Sequence, residues 1–196
     1  MQPVELRSER LILSIPEGDA DIDAIAHYCQ DPLFEQFLTT PWPYTRDDAA
    51  SFAERFVPDR WADDSEYTWA IRAGVEAHEG VEPGTLLGMI GWRTRGDLGF
   101  WMGAEHRGHG FMVEALAAVV EWVFAEPLVD GRGVERIDWE TLPGNYASAR
   151  VARAAGFHYT GLAPVLVPAR DGSHPDSWHG VLLRDDDREI KDGWPL

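Results

Sequence analysis

The chain is poor in cysteine and in long apolar runs. Cys29 is the single cysteine among 196 residues, so a disulfide within the chain is excluded. No apolar run approaches the roughly 20 residues that a transmembrane helix requires, and no cationic and apolar leader opens the sequence. We therefore expect a cytoplasmic protein that makes no membrane contact.

Basic residues are also scarce, because 17 lysines and arginines stand against 34 acidic residues and give a formal net charge of −17. Such a charge repels phosphate backbones and anionic lipid surfaces, so nucleic-acid binding is disfavoured. The simpler interpretation of the acidic surplus is a solvated surface that maintains solubility. The alternative is an electrostatic field that attracts a cationic substrate.

The remaining composition is globular, with 44% hydrophobic and 11% aromatic residues. A chain of this length normally forms one compact unit. We expect a single domain over residues 1–196, with a core at about 6–185 and a short tail at 186–196. The expected assembly is a monomer or a homodimer.

Hydrophobic periodicity and turn residues predict the order of helices and strands. A strand at 11–15 precedes a helix capped by Asp19 and stopped by Asp31 and Pro32. A second helix begins at a capping box of Thr45 and Asp48 and ends at Pro58. The later strands are predicted at 67–73, 86–93, 97–103, 136–142, 157–166 and 177–184, and two further helices at 111–126 and 145–155.

One glycine-rich segment, residues 106–110 (His-Arg-Gly-His-Gly), lies between a predicted strand and the best predicted helix. We call it the glycine loop. Glycines let backbone approach a ligand closely, and a helix start presents unpaired N–H groups at a positive dipole end, so the junction suits a pyrophosphate. Taken alone, the pattern would be an ordinary tight turn.

Several other chemistries lack their sequence signals. The loop has no third glycine for a dinucleotide fingerprint and no Gly-Lys-Ser/Thr ending for a Walker loop. The paired histidines, His106 with His109 and His174 with His179, have no accompanying cysteines, so no metal site is expected. No nucleophile-elbow pattern accompanies a serine or cysteine, so a covalent acyl-enzyme has no support.

Two ordered motifs resemble the coenzyme-binding segments of GNAT acetyltransferases, in the variant of the RimJ/RimL-like ribosomal-protein N-acetyltransferases. The first comprises residues 99–103 and 107–110 followed by Glu-Ala-Leu at 114–116. The second comprises Pro143, Asn145, Ser148, Arg150, Val151, Gly156 and Phe157. Residues 6–11 also resemble the first strand of this family, so the resemblance covers residues 6 to about 185.

The resemblance implies an α/β fold with a mixed, mostly antiparallel seven-stranded sheet and helices on both faces. The sheet would be splayed between the strand ending at Gly103 and the strand ending at Leu142, and acyl-CoA, most simply acetyl-CoA, would lie in the splay. The implied coenzyme-binding residues are Phe100, Trp101, Met102, Gly103, Arg107, Gly108, His109, Gly110, Phe111, Met112 and Asn145. Met112 departs from the family, which usually has Gly or Ala there.

The implied reaction is direct transfer of the acyl group to a primary amine of a protein N-terminus or a small molecule. The wider family often has a tyrosine acid on the second motif's helix, where this chain has Ala152. The resemblance therefore makes Ser148 the acid that protonates the departing thiolate, although an ordinary helix-start serine is an equal alternative.

An attacking amine must lose a proton, so a base is needed. Glu140, in an otherwise hydrophobic strand, is the candidate that acts through water, with Glu66 and Asp97 as fallbacks. A competing hypothesis is a non-catalytic acyl-CoA-binding regulatory module that lacks productive acid and base groups.

Overall fold

The computed structural model describes residues 1–77, 80–129 and 131–196. Its first sheet has five antiparallel strands in chain order. The strands are β1 (Leu6–Arg7), β2 (Leu11–Ser14), β3 (Glu66–Ala73), β4 (Leu86–Arg93) and β5 (Leu98–Met102). Strands β3 and β4 are almost continuously buried, as expected for central strands that are covered on both faces.

Four helices connect β2 to β3: α1 (Gly18–Tyr28), α2 (Pro32–Phe37), α3 (Arg46–Ser51) and α4 (Val57–Ala62). The predicted capping box is confirmed, since the side chain of Thr45 accepts from the Asp48 amide and the Asp48 carboxylate accepts from the Thr45 amide. The predicted cap Asp19 is wrong, because α1 begins one residue after Glu17 and Asp19 lies in its first turn.

The first helix ends before Asp31 and Pro32, as predicted, whereas Pro58 does not end the second helix, because helical structure continues from α3 through α4. Asp31 caps α2 and Pro32 occupies its first turn. Pro58 lies in the first turn of α4, after a π-helical turn at Phe52–Phe56. A proline at a helix start loses no hydrogen bond because the first amides have no intrahelical partner. The π turn changes the spacing of the backbone hydrogen bonds just before Pro58, and the helix continues through Pro58 into α4.

Helix α5 (Phe111–Ala125) follows β5 and buries nine of its 15 residues. Strand β6 (Arg136–Thr141), helix α6 (Tyr146–Ala154), and strands β7 (His158–Pro164) and β8 (Asp176–Leu183) complete the order. The last three strands form a separate antiparallel sheet in the order β6-β8-β7. The described chain thus has eight strands and not seven, because the short β1 adds an edge strand.

The two sheets diverge between β5 and β6. Their one paired position among the described residues is a parallel bridge between Asp97 and Asp138, where the Asp138 amide donates to the carbonyl of Gly96 at 2.8 Å. Beyond this bridge, β5 is hydrogen-bonded to β4 only. The predicted splay is therefore confirmed, and it opens towards the glycine loop.

Helices cover both faces of the first sheet, which confirms the predicted α/β fold class. Ala70 and Met89 pack with α1 and α3 on one face, while Trp69, Ile71 and Ile90 pack with α5 on the other. Adjacent residues of a strand point to opposite faces, so this division follows from the strand geometry. No helix within the described residues is long and apolar enough to cross a membrane.

The segment after β8, which the sequence suggested was a short tail, packs against the second sheet. The Trp194 ring lies 5.3 Å from that of Trp139 and 5.6 Å from that of Tyr159, measured between ring centroids. The Arg153 Nε donates to the carbonyl of Lys191 at 3.2 Å. These contacts fix the C-terminal residues over the sheet that contains β6.

Candidate active site in the splay between the sheets

Two cavities occupy the splay. The first, which we call the loop cavity, has a volume of about 420 Å³ and is lined by the glycine loop, the start of α5, β5, α2 and one face of α6. The second, the strap cavity, has a volume of about 410 Å³ and is lined by β6, the ends of α2 and β5, and residues 165–171. Both cavities share Phe37, Leu38, Phe100, Asn145 and Ser148 in their linings, so they adjoin at these side chains.

The glycine loop presents backbone donors at the start of α5. Gly108 and Gly110 have φ of +83° and +79°, a conformation that side-chain-bearing residues rarely adopt. The first carbonyl-bonded amide of α5 is that of Glu114, which donates to Gly110 at 3.1 Å. The earlier amides of the helix have no carbonyl one turn back. They form the kind of site that holds a phosphate.

Glu114, in the first turn of α5, joins the glycine loop to Ser8 and Arg10 in the connection between β1 and β2. The Glu114 carboxylate accepts from Ser8 Oγ at 2.7 Å, the Arg10 amide at 2.8 Å and Arg10 Nε at 2.7 Å. Arg10 also donates to the carbonyl of His109 at 3.1 Å and lies over the Phe111 ring. Burial raises the pKa of Glu114, but the bonds from Ser8 and Arg10 outweigh it and hold the pKa below its ordinary value.

The side chain of Arg107 binds other residues of the protein. Its Nε donates to the Met102 carbonyl at 3.0 Å and its guanidinium pairs with Asp31 at 2.6 Å, which ties the loop to the start of α2. Its amide lies 3.4 Å from the carbonyl of Ala104. Arg107 therefore orders the loop through these contacts.

The loop histidines lie on different sides of the loop. His106 is buried and its Nε2 is 2.9 Å from the Tyr28 hydroxyl. Burial lowers the pKa of His106 and raises the pKa of Tyr28 to about 12, so this contact joins two neutral groups near pH 7. The His109 ring stacks on Phe111 at 5.5 Å. Among the described residues, no group of three or more histidine, cysteine or acidic side chains is placed to hold a metal ion.

Three residues predicted from β5 line the loop cavity: Phe100, Trp101 and Met102. The Trp101 ring packs 5.4 Å from Phe34 of α2, which fixes that side of the cavity. Gly103 follows β5, and a Cβ built there would lie 2.8 Å from the Tyr28 ring. A side chain at position 103 would therefore displace Tyr28. Met112 lines the same cavity and is 7% exposed.

Asn145 and Ser148 lie at the boundary of the two cavities. Asn145 caps α6, because its Oδ1 accepts from the Ser148 amide at 3.2 Å while its Nδ2 donates to Thr141 Oγ1 at 2.9 Å. The Oγ of Ser148 accepts from Trp139 Nε1 at 3.0 Å. The predicted capping role of Asn145 is confirmed, and its contact with a coenzyme stays a prediction.

Glu140 lines the strap cavity and is bound to the segment that covers it. We call residues 165–175, which connect β7 to β8, the strap. The Glu140 carboxylate accepts from the amides of Leu166 and Val167, at 2.6 and 3.1 Å. His179 Nε2 lies 3.8 Å away. No local pattern predicted this anchoring role, because the partners lie 26 and 27 positions along the chain.

Arg170 holds the other side of the strap. Its guanidinium donates to the carbonyls of Glu35 and Leu38, both at 2.8 Å, of Phe34 at 3.2 Å, and of Thr40 at 2.8 Å. These carbonyls lie within α2 and just beyond it; that of Phe34 also accepts from the Leu38 amide, whereas carbonyls at the end of a helix have no amide one turn on. Sequence reasoning missed Arg170, whose partners lie 130 to 136 positions away.

Asp97 and Glu66, the fallback candidates for the base, both form ion pairs. Asp97 is 2% exposed and pairs with Arg93 at 2.7 Å and with Arg95. Burial raises the pKa of Asp97, but Arg95 and Arg93 outweigh it and hold the pKa below its ordinary value. Glu66 pairs with Arg93 at 3.2 Å and is absent from the lining of both described cavities. Both fallback assignments are therefore poorly supported by the geometry.

The family of this chain follows from its similarity to known proteins. Residues 10–158 match the model of the acetyltransferase (GNAT) domain. The chain belongs to the GNAT acetyltransferase family.

Similar proteins include a curated relative and solved structures. The chain is 36% identical over 92 residues to Probable N-acetyltransferase YjcK of Bacillus subtilis (strain 168), an alignment that spans 47% of this chain and 48% of that protein. The structure of RimL, a ribosomal L7/L12 alpha-N-protein acetyltransferase in complex with coenzyme A, superposes with a TM-score of 0.72 at 15% identity, covering 94% of this chain and 100% of that one. A ribosomal-protein-S5-alanine acetyltransferase from Vibrio fischeri gives 0.68 at 19%, covering 93% and 98%.

Proposed function

We propose that this protein is an acyl-CoA-dependent N-acyltransferase that uses acetyl-CoA and acylates a primary amine. The observation that carries the proposal is the meeting of two cavities at Ser148 and Phe100, one bordered by the glycine loop and the other by β6 and the strap. Two adjoining cavities would let the two substrates bind separately and bring their reacting ends together at the shared side chains. Family membership supports the same chemistry.

The loop cavity fits the coenzyme. The unpaired amides at the start of α5 would bind the pyrophosphate, because a helix start offers both N–H donors and a positive dipole end. The edge of β5 from Phe100 to Gly103 would pair with the pantetheine amides, since no strand of the described residues pairs with that edge beyond the Asp97 bridge. Asn145 would add a contact where α6 begins.

The acyl transfer requires a group that stabilises the oxyanion, a proton donor for the thiolate and a proton acceptor for the amine. The amine nitrogen attacks the thioester carbonyl carbon, a C–N bond forms, and the C–S bond breaks with its electron pair on sulfur. Backbone amides of β5 would stabilise the developing oxyanion. Ser148 would donate its hydroxyl proton to the thiolate, and Glu140 would take the proton released by the nitrogen through a water molecule.

The acceptor would enter through the strap cavity. Its lining contains the carboxylates of Glu35, Asp97, Glu140 and Asp171, and the guanidinium groups of Arg93 and Arg170. The four carboxylates outnumber the two guanidinium groups, which gives the lining a formal charge of −2. The cavity therefore favours an acceptor that carries positive charge, in line with the chain's formal charge of −17.

The competing function is a non-catalytic acyl-CoA-binding module. One observation favours it: both oxygens of Glu140 accept hydrogen bonds from strap amides, which leaves the carboxylate fewer lone pairs for a water molecule. The chain would then bind the coenzyme and transfer nothing.

The two functions are separated by one experiment on a single sample. Binding of acetyl-CoA is measured by calorimetry, and transfer is measured by mass spectrometry after incubation with a library of small amines, diamines and peptides. Acylated products support the enzyme. Binding without any acylated product, under conditions where the folded protein is intact, supports the module.

A further inference from the structure

Trp139 makes an unusual contact for a core tryptophan, because its indole N–H reaches a hydroxyl that lines both cavities. Trp139 is 1% exposed, and its Nε1 donates to Ser148 Oγ at 3.0 Å. Strand β6 alternates its side chains, so Trp139 faces α6 while Glu140 faces the strap. The two side chains therefore leave the strand on opposite faces, although both residues line the strap cavity.

The direction of this hydrogen bond is set by the chemistry of its partners. An indole N–H only donates, while a serine hydroxyl has one proton and two acceptor lone pairs. The bond from Trp139 occupies one of those lone pairs. The hydroxyl proton of Ser148 is consequently left to donate to another group, and the cavities lie where such a group would bind.

The indole is held in place on its other side. The Trp194 ring packs against it at 5.3 Å, and a Cβ built on Gly180 would lie 3.2 Å from Trp139 Cε3. A ring confined in this way keeps its N–H directed at α6. Ser148 itself lies on the first turn of α6, where Asn145 binds its amide.

We propose that Trp139 is a positioning residue that orients the Ser148 hydroxyl as a proton donor and stabilises its oxygen as the proton leaves. The inference rests on the proposed function. When the C–S bond breaks, the sulfur takes the proton of Ser148 while a water molecule supplies a proton to the serine oxygen, and the indole hydrogen bond stabilises the negative charge that develops on that oxygen during the transfer. Preorganised donors of this kind are most effective in a site that excludes water.

The chain supplies a matched control. Trp92 is fully buried like Trp139, but among the described residues its Nε1 has no hydrogen-bond partner. Trp139→Phe and Trp92→Phe therefore remove the same N–H and the same ring area from two buried sites. A general effect of a smaller ring acts on both variants, whereas an effect through Ser148 acts on one.

The first test is spectroscopic and needs no turnover. The protein has nine tryptophans, and the indole N–H resonance of Trp139 is assigned in an ¹⁵N-labelled sample by its loss in Trp139→Phe. In Ser148→Ala we expect that resonance to move upfield, as a lost hydrogen bond requires, while the Trp92 resonance stays in place. A Trp139 resonance that is unchanged in Ser148→Ala would overturn the contact and the inference with it.

The second test is a double-mutant cycle with a verified acceptor. Trp139→Phe should lower kcat by about tenfold, in the range of a single lost hydrogen bond, with the KM for acetyl-CoA within twofold of wild type. In the Ser148→Ala background it should cause no further loss. An equal loss in both backgrounds, or a loss matched by Trp92→Phe, would overturn the inference and leave the enzymatic function intact. A wild-type protein that acylates no amine would overturn the proposed function and this inference together.

Discussion

The Oε2 atom of Glu140 lies 2.6 Å from the backbone nitrogen of Leu166. This contact joins the proposed base to the strap, so a change at Glu140 acts on proton transfer and on strap position at once. The two effects can be separated with a variant at Arg170, the other residue that anchors the strap.

Glu140→Gln is expected to lower kcat/KM by roughly 10²-fold if the carboxylate accepts a proton, since general-base assistance contributes about 10² to 10⁴. Coenzyme affinity should be unchanged because Glu140 lines only the strap cavity of the two described. The measurement is steady-state kinetics with an acceptor identified by mass spectrometry.

The control is Arg170→Met, which removes the hydrogen bonds to the carbonyls around the end of α2 and keeps the Glu140 carboxylate. We expect faster amide hydrogen exchange in residues 165–175 of this variant and a smaller loss of kcat/KM. If Arg170→Met reproduces the full loss seen in Glu140→Gln, Glu140 anchors the strap and is not the base.

Gly110→Val should remove most of the rise in Tm that acetyl-CoA produces in the wild-type protein. Gly110 adopts φ of +79° at the start of α5, and a branched side chain there both strains the backbone and blocks close approach of a phosphate. Thermal unfolding with and without acetyl-CoA measures the effect.

A matched control for that variant is Gly18→Val, at a glycine with φ of +75° and no atoms within 4 Å of an added Cβ. It introduces comparable backbone strain at the start of α1. Both variants should lose stability, but Gly18→Val should retain the full coenzyme shift. A full shift in folded Gly110→Val would refute the phosphate site.

Stability should depend on pH through Glu114. Its pKa in the folded protein lies below the ordinary value of 4.5, so its stabilising contribution is present above that value and disappears as pH falls through the folded-state pKa. At pH 7, Glu114→Gln should lower the free energy of unfolding by roughly 1.5–3 kcal/mol, the range for hydrogen bonds to a charged group.

Urea unfolding at pH 7 and at progressively lower pH measures this dependence. The difference between Glu114→Gln and wild type should shrink as the pH falls below about 4.5. A difference that stays constant across that interval would show that Glu114 contributes through packing and not through its charge.

Capture of a cationic acceptor should weaken as salt rises to physiological strength, where the screening length is roughly 8 Å. The reason is the acidic lining of the strap cavity together with the net charge of −17. We expect kcat/KM for the acceptor to fall with salt while the Kd for acetyl-CoA does not follow the same trend. Salt-independent kcat/KM would assign the acidic surplus to solubility alone.

Local sequence patterns were sufficient to predict the features that depend on neighbours a few positions apart. The spacing of apolar residues predicted α5 because one helical face repeats every three to four residues. The pair Thr45 and Asp48 predicted a helix start, since the capping box closes within one turn. The position of the glycine loop between a strand and a helix followed from the same local patterns.

The prediction from local patterns that Pro58 ends the second helix was wrong. A proline normally ends a helical run because it lacks an N–H, but the π turn at Phe52–Phe56 ends the preceding ladder before Pro58 is reached. Packing of the surrounding helix against the first sheet, through Val57 and Trp61, favours this continuation. Nothing in the local sequence distinguishes the two outcomes.

The groups that meet in the site are brought together by contacts between distant parts of the chain. Arg170 reaches carbonyls 130 to 136 positions earlier, and Glu140 meets the strap because β7 and β8 pair beside β6. Trp139 reaches Ser148 because α6 packs against the face of β6 that carries the indole. Such contacts depend on strand order and sheet divergence, which are set by the burial of the whole chain and not by the spacing of residues along it.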